Sequence, residues 1–467
     1  MKQEMLNQVY AYLDKRKDEI IQELISLASI KSVSDENSDV KPFGQGCQDV
    51  LAWMLEKGKK QGFKTRNFEN YLGCIELDNH SSDSIGLWSH LDVVPEGEGW
   101  LTPPYTPTLK DGFLFGRGVG DNKSAAIGVF FIQQAIRDLK IEMKHNVQLY
   151  LGCNEEVGMK DVEYFVKNYE APKFSLVPDA GFPGMSGEFG RVRYILKSRN
   201  KVSSQIKELN AGMAFNIIPN HAYIILEDNG FDLSNISDEY KVTRENNWIK
   251  IEAFGKSCHA AFPEGGINAI YALTSLLCKL DLCENDKKIF EFLTNVNQDS
   301  YGTFLRVDKS DEISGQTVSS GTVLRLNDGY VELLNDCRHC VTDTNDHIVE
   351  NITKNSDSYD FDVEIIERSK PSYIDPNSEV AQTISKTYQE YTGNDHFMFI
   401  GKGGTYAGQL PNAVATGIVL RGQNSVPEYI KPGHGGAHQP DELLPVDGYI
   451  DGIKLLATIL FNVDETI

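Results

Sequence analysis

Apolar residues recur at helical spacing over positions 6–30, at Val9, Tyr12, Leu13, Ile20, Leu24 and Leu27, and do so again over 47–60. That period puts one apolar stripe on each of two amphipathic helices. Short apolar runs follow at 73–77, 85–89, 147–153 and 175–178, with helical patterns between them at 123–139 and 161–169. Strands that alternate with helices predict an α/β domain around a mostly parallel sheet. From 186 to 377 the texture changes: F-N-I-I-P, A-Y-I-I-L and W-I-K-I-E-A-F-G read as strands with two faces of different polarity. They precede a helical run, N-A-I-Y-A-L-T-S-L-L, and two further strands, G-T-V-L-R-L-N and Y-V-E-L-L-N. This alternation predicts an α+β unit with an antiparallel sheet. The first texture returns from 378, with a helix at 379–391, strands at 397–400 and 414–420, and a last helix at 446–460. The economical reading is an α/β domain of residues 1–185 and 378–467, interrupted by an α+β insert of residues 186–377.

Composition narrows what such a chain can do. With 467 residues and 40% hydrophobic content it is too long for one core. A net charge of -22 argues against binding a phosphate backbone, which needs clustered Lys and Arg, so nucleic acid is excluded as a partner. The charged start, M-K-Q-E-M-L-N-Q-V-Y-A-Y-L-D-K-R, does not read as a signal peptide, and no run reaches the length of a membrane span. Eight cysteines at irregular spacing fit reduced thiols in a cytoplasm. Cys337 and Cys340 form a lone C-x-x-C without a second pair, which reads as a coincidence on a strand.

The chemistry concentrates where strands end. The run L-W-S-H-L-D presents His90 and Asp92 at a strand's carboxyl end, on one face because residues i and i+2 of a strand share it. The glycine-rich turn Gly116, Gly118, Gly120 delivers Asp121 to a helix start. Asn154, Glu155 and Glu156 follow the strand N-V-Q-L-Y-L-G-C, and Asp179 follows S-L-V-P. Ligands of parallel sheets sit outside such ends. A lone loop carboxylate is usually a solvated residue or a helix cap. Several in one crevice beside a histidine repel one another and call for a cation. Two more histidines have motif-like surroundings, His259 in G-K-S-C-H-A-A-F-P-E-G-G-I-N-A and His438 in H-G-G-A-H-Q-P-D-E, whereas His80, His145, His347 and His396 read as structural or surface residues.

Taken together, H-L-D-V-V-P-E-G-E-G-W, G-R-G-V-G-D-N-K, N-E-E, V-P-D, G-K-S-C-H-A-A-F-P-E-G-G-I-N-A, G-K-G-G-T-Y-A and A-H-Q-P-D-E resemble the successive motifs of the co-catalytic zinc peptidases and deacylases, the carnosinases, aminoacylases and desuccinylases among them. The length, the large insert, D-A-G-F-P-G-M-S-G-E-F-G and S-S-G-T-V-L-R-L-N-D-G are most similar to the bacterial PepV-type dipeptidases. This resemblance implies a dipeptidase with two divalent ions, zinc or manganese. His90, Asp121 and Asp179 would hold one ion and Asp121, Glu156 and His438 the other. Glu155 would be the general base and Asp92 would orient His90. The insert would be a two-lobed lid that supplies His259 to the scissile carbonyl from the same chain, so that the protein works as a monomer on small peptides, with Asn216 and Arg338 binding substrate.

The departures from the family pattern are Asn122, Ser124, Gly408 and Asp441, none of which removes a predicted metal ligand. Mixed imidazole and carboxylate ligands suit zinc or manganese on chemical grounds as well. A deacylase or desuccinylase on the same scaffold, and a non-catalytic peptide-binding paralogue, are the rival expectations.

Overall fold

The computed structural model describes residues 2–234, 236–420, 422 and 426–467. It divides into two compact units, one of residues 1–187, 373–399 and 404–467, the other of residues 188–372 and 400–403.

In the first unit, Ser84–His90 runs through the middle of a sheet. It pairs in parallel with Asn146–Gly152 on one side and Phe174–Ala180 on the other, and Ala413–Gly417 adds a fourth parallel strand beyond Phe174–Ala180. Leu72–Leu77 and Lys64–Phe68 extend the other edge in antiparallel fashion. The central strand is buried on both faces, as its unbroken run of non-charged residues requires. Helices Lys123–Asp138 and Val446–Thr466 share one core with Leu87, Leu149 and Leu176 from the sheet. The mostly parallel α/β reading therefore stands.

The apolar stripe expected over 6–30 is divided between two helices, Lys2–Lys15 and Lys17–Ala28. Arg16 leaves helical geometry at φ -104°, ψ 11°, and its guanidinium reaches Glu19 and Gln134. The periodicity continues on both sides because both helices bury their stripes in the same core, so the stripe alone could not reveal the break.

The second unit is built on one antiparallel sheet of eight strands. Tyr240–Glu245, Trp248–Phe254, His221–Glu227 and Ile206–Ala211 form one half, with Ala269–Leu277 packed against it. Val318–Asn327, Tyr330–His339, Gly190–Ser198 and Phe361–Ser369 form the other half, with Asn345–Asp357 against it. The halves join at the pairs Asn210↔Arg325 and Ala211↔Leu324. Along Gly190–Ser198, burial alternates residue by residue: Val192, Tyr194 and Leu196 enter the core, and Arg191, Arg193 and Lys197 point to the other face.

Candidate metal centre

His90 is the last residue of its strand and is fully buried. Its Nε2 faces Asp121 Oδ1 at 3.0 Å and lies 3.7 Å from Asp179 Oδ2. Asp121 offers its second oxygen, Oδ2, to His438 Nε2 at 3.2 Å, and His438 Nε2 is 3.0 Å from Glu156 Oε2. One carboxylate thus stands between two imidazoles, each with an additional acid beside it. Two sets of ligand atoms lie close enough to share an ion: His90, Asp121 and Glu156 in one, and His90, Glu155 and Asp179 in the other, with the atoms of each set within 4.8 Å of one another. Glu155, expected as a base and not a ligand, therefore stands as near the centre as the ligands do.

The electrostatics of the cluster match its donor chemistry. Burial tends to strip the proton from His90, but the charge of Asp179 and the bond to Asp121 win and hold its pKa well above the usual imidazole value. Hydrogen bonds to Asp121 and Glu156 push His438 up to about 10 despite its partial burial. Burial tends to raise Asp121, and the bonds from His438 and His90 outweigh it and pull the carboxyl down. Glu155 goes the other way, raised by burial and by the charges of Asp179, Glu156 and Asp121. Acids that draw protons onto their neighbouring imidazoles create the negative potential that a divalent cation would satisfy. Imidazole and carboxylate donors suit zinc and manganese.

A ring of polar groups fixes this cluster, and most of it was invisible in the sequence. Asp92, expected to orient His90, lies beside its Nδ1. His90 Nδ1 meets the main-chain oxygen of Asp92 at 2.9 Å, and the carboxylate is farther away, at 3.6 Å. The Asp92 carboxylate accepts the N–H groups of Glu155 and Glu156, both at 3.1 Å. Burial pushes it up to about 7. Asp161 similarly accepts the N–H groups of Cys153 (2.7 Å) and Asn154 (2.9 Å), and the Tyr406 hydroxyl donates to it. Asn122, where the family pattern has an acid, donates its amide to Asp179 Oδ1 at 2.7 Å. An acid there would face Asp179 with a like charge.

Glu442 closes the ring. Its Oε1 accepts from Gly120 N (2.8 Å) and Asp121 N (3.0 Å), and its Oε2 accepts from Gly118 N (3.1 Å) and Arg117 Nη1 (2.8 Å). The turn that carries Asp121 is therefore held by a side chain more than 300 residues away in sequence. Gly118 sits at φ 82°, a backbone that favours glycine, and a Cβ there would meet Val93 at 2.8 Å. Asp441, the residue before Glu442, accepts from Leu101 N and Thr102 N and pairs with His434 at 2.7 Å, which binds the His438 loop to the segment after His90.

Beside Asp121 and Asp179 a cavity of about 370 Å³ opens, lined in part by Phe182, Tyr388 and Ile418. A larger one, about 750 Å³, lies at Lys64–Phe68, Ser84 and Tyr150 and includes none of the candidate site residues.

The second unit holds the remaining candidates. His259 lies on Cys258–His259, which pairs with Ile217–Ile218, and the Ala260 N–H donates to the Asn216 carbonyl at 2.8 Å. Ala261 N–H donates to His259 Nδ1 at 3.1 Å, which leaves the ring proton on Nε2. Burial, then the charge of Arg338, hold His259 below the ordinary imidazole pKa, and Asp336 opposes them. Arg338 is buried. Its Nε donates to Asp336 Oδ1 at 2.8 Å and its Nη1 to the Lys402 carbonyl. Cys337 and Cys340 are buried free thiols, among eight free cysteines in all.

A family model described as peptidase family M20/M25/M40 matches residues 86–462. "Putative dipeptidase YtjP" of Bacillus subtilis (strain 168) is 28% identical over 466 residues, covering 96% of this chain and 98% of the relative. "Beta-Ala-Xaa dipeptidase" of Lactobacillus delbrueckii subsp. lactis is 27% identical over 475 residues, covering 97% of each. Among solved structures, human carnosine dipeptidase 1 superposes with a TM-score of 0.61 at 16% identity, over 99% of both chains, a likeness of fold. No helix among the described residues is long and apolar enough to cross a membrane.

Proposed function

From the premise that this chain belongs to peptidase family M20/M25/M40, we propose that it is a dipeptidase, hydrolysing the single peptide bond of small peptides at two divalent ions, zinc or manganese. The observation that carries this reading is Asp121, with one oxygen 3.0 Å from His90 and the other 3.2 Å from His438. A carboxylate with a separate imidazole on each oxygen is the arrangement a bridging ligand needs. His90 and Asp179 would complete one ligand set, and Glu156 and His438 the other. Two such ions supply Lewis acidity, lowering the pKa of a water and stabilising negative charge on the carbonyl oxygen.

The remaining work falls to the chain's own side chains. Glu155 takes a proton from the attacking water as its oxygen bonds to the carbonyl carbon. The same carboxyl returns the proton to the amide nitrogen as the C–N bond breaks, so one group acts as base and then as acid. Asp92 fixes Glu155 and Glu156 through their backbone N–H groups. His259, neutral with its proton on Nε2, is suited to donate to the carbonyl oxygen as charge develops there. Asn216 and Arg338 would hold the substrate's ends; Arg338 retains N–H groups beyond its bonds to Asp336 and Lys402. Eight free cysteines support a reducing compartment, the cytoplasm.

The deciding experiment strips the protein with a chelator, adds back Zn²⁺ or Mn²⁺, and compares dipeptides with N-acyl amino acids. Restored cleavage of dipeptides over N-acyl amino acids is the expected result, and the reverse order would replace the reading with that of a deacylase. A mixture of His259→Ala and Glu155→Ala proteins is expected to stay inactive. Recovered activity would mean that His259 serves a partner's site and that the monomer reading is wrong.

A further inference from the structure

The helix-free face of the second unit's sheet carries more guanidinium groups than its acids can use. Register places Arg191 opposite Arg338, and Arg193 opposite both Asp336 and Glu367. Residues directly opposite share a face, so all five side chains belong to one surface. Arg338 and Arg193 converge on Asp336, at 2.8 and 3.1 Å, and Arg193 and Arg191 converge on Glu367, at 2.6 and 3.1 Å. Three cations thus share two carboxylates. Lys402, whose charge is also felt there, has the exposed Glu264 as a counter-charge of its own.

The surplus sits on Arg191. Each guanidinium nitrogen of Arg338 has one acceptor, with an N–H left over on each Nη for substrate, and Arg193 has Nε and Nη1 engaged. Arg191 donates through Nη1 alone, to Glu367 Oε1 at 3.1 Å, although its side chain is only 17% exposed. Its Nε and Nη2 are not sealed from solvent, so they are open to an acceptor from outside. A second polar group on the same stretch lacks a partner too: Ser320, paired in register with Asp336, has a buried Oγ with no hydrogen-bond partner. Burial and the neighbouring Arg338 lower the pKa of Arg191, as expected of a cation that is not fully compensated. Arg191 is also near enough to His259 for its charge to act on that imidazole.

We propose that Arg191, with the free Nη2 of Arg193, forms a carboxylate-binding subsite, and that the substrates are dipeptides with an acidic side chain. The inference rests on the dipeptidase reading, in which Arg338 receives the peptide's terminal carboxylate and His259 its carbonyl oxygen. The second negative charge of a Glu or Asp side chain then falls to the remaining guanidinium, whose planar fork suits a two-oxygen acceptor. Glu367 stays paired with Arg193 when Arg191 is changed, so removing Arg191 strands no acid.

The test compares kcat/KM for two dipeptides that differ only in carrying Glu or Gln at the second position. A charge-assisted pair predicts that the wild type prefers Glu by roughly tenfold to a hundredfold. In Arg191→Gln the ratio is expected to fall to near one, and in Arg191→Lys to keep part of its value, with thermal midpoints showing that both variants fold. A wild-type ratio near one, or a ratio that Arg191→Gln leaves intact, overturns the proposal. Calorimetric titration of both dipeptides into the Glu155→Gln protein separates this inference from the reading beneath it. If neither dipeptide is cleaved by the wild type but the Glu form binds at least tenfold tighter in an Arg191-dependent way, the dipeptidase reading fails and the subsite stands. Equal binding of the two forms rejects the subsite.

Discussion

The two units bury charge in opposite ways. In the first, Asp121, Glu155, Glu156 and Asp179 crowd around two histidines, and what stabilises the arrangement is an outer layer of acids that accept main-chain N–H groups: Asp92, Asp161 and Glu442. In the second, Asp336 and Glu367 are paired with arginines across neighbouring strands. A site that gathers four carboxylates around two imidazoles is arranged for a cation supplied from outside, whereas a site that pairs its charges internally is complete except where a donor is left over, as at Arg191. The comparison shows why a charged cluster is informative about ligands only after its internal pairs have been subtracted.

The sharpest way to break the contrast is at Glu155 and Glu156. Glu155→Gln is expected to lower kcat by at least ~10²–10⁴-fold, the usual contribution of a positioned proton carrier, and to retain its metal. Glu156→Ala is expected to lose metal by elemental analysis. Metal lost from the first variant and retained by the second would reverse the two roles, and the spatial overlap of Glu155 with the ligand atoms makes this a demanding test.

Next in size is the outer layer. Glu442→Ala removes the acceptor of three N–H groups and leaves the buried Arg117 guanidinium without its carboxylate. Breaking a buried pair on one side costs about 3–5 kcal/mol. The expected result is a lowered denaturant midpoint together with weaker metal binding, because the Asp121 turn loses its anchor. Unchanged metal affinity in a destabilised protein would show that the Asp121 turn keeps its shape without Glu442.

The smallest effect is in the internally paired unit. Burial raises the Asp336 carboxyl, but Arg338 and Arg193 outweigh it, so the folded pKa lies below the unfolded one. The stabilisation is fully present above the ordinary Asp pKa of about 4. It is lost as pH falls through the lowered value. Acid titration of thermal stability is therefore expected to show a decline below about pH 4 that is shallower in Asp336→Asn. Equal slopes in the two proteins would mean that the pair does not contribute.

His90, Asp121, Glu155, Glu156 and Asp179 were legible because each follows a run whose period marks a strand or a turn, and strand ends are where a parallel sheet gathers its ligands. His438 was legible only as part of a motif. The α/β order and the antiparallel insert could likewise be read from periodicity, which is set by side chains within a few residues of one another. The break at Arg16 could not, since both helices keep the same stripe. Nor could the Glu442 cradle, the bond from Asn122 to Asp179, the bonds of the Asp92 carboxylate to the Glu155 and Glu156 amides, or the arginine surface opposite the helices. Composition and local spacing decided which residues could carry metal chemistry. Tertiary structure decided which acid meets which donor, because those partners are chosen by strand register and by loops that converge from distant parts of the chain, and no local pattern encodes that choice.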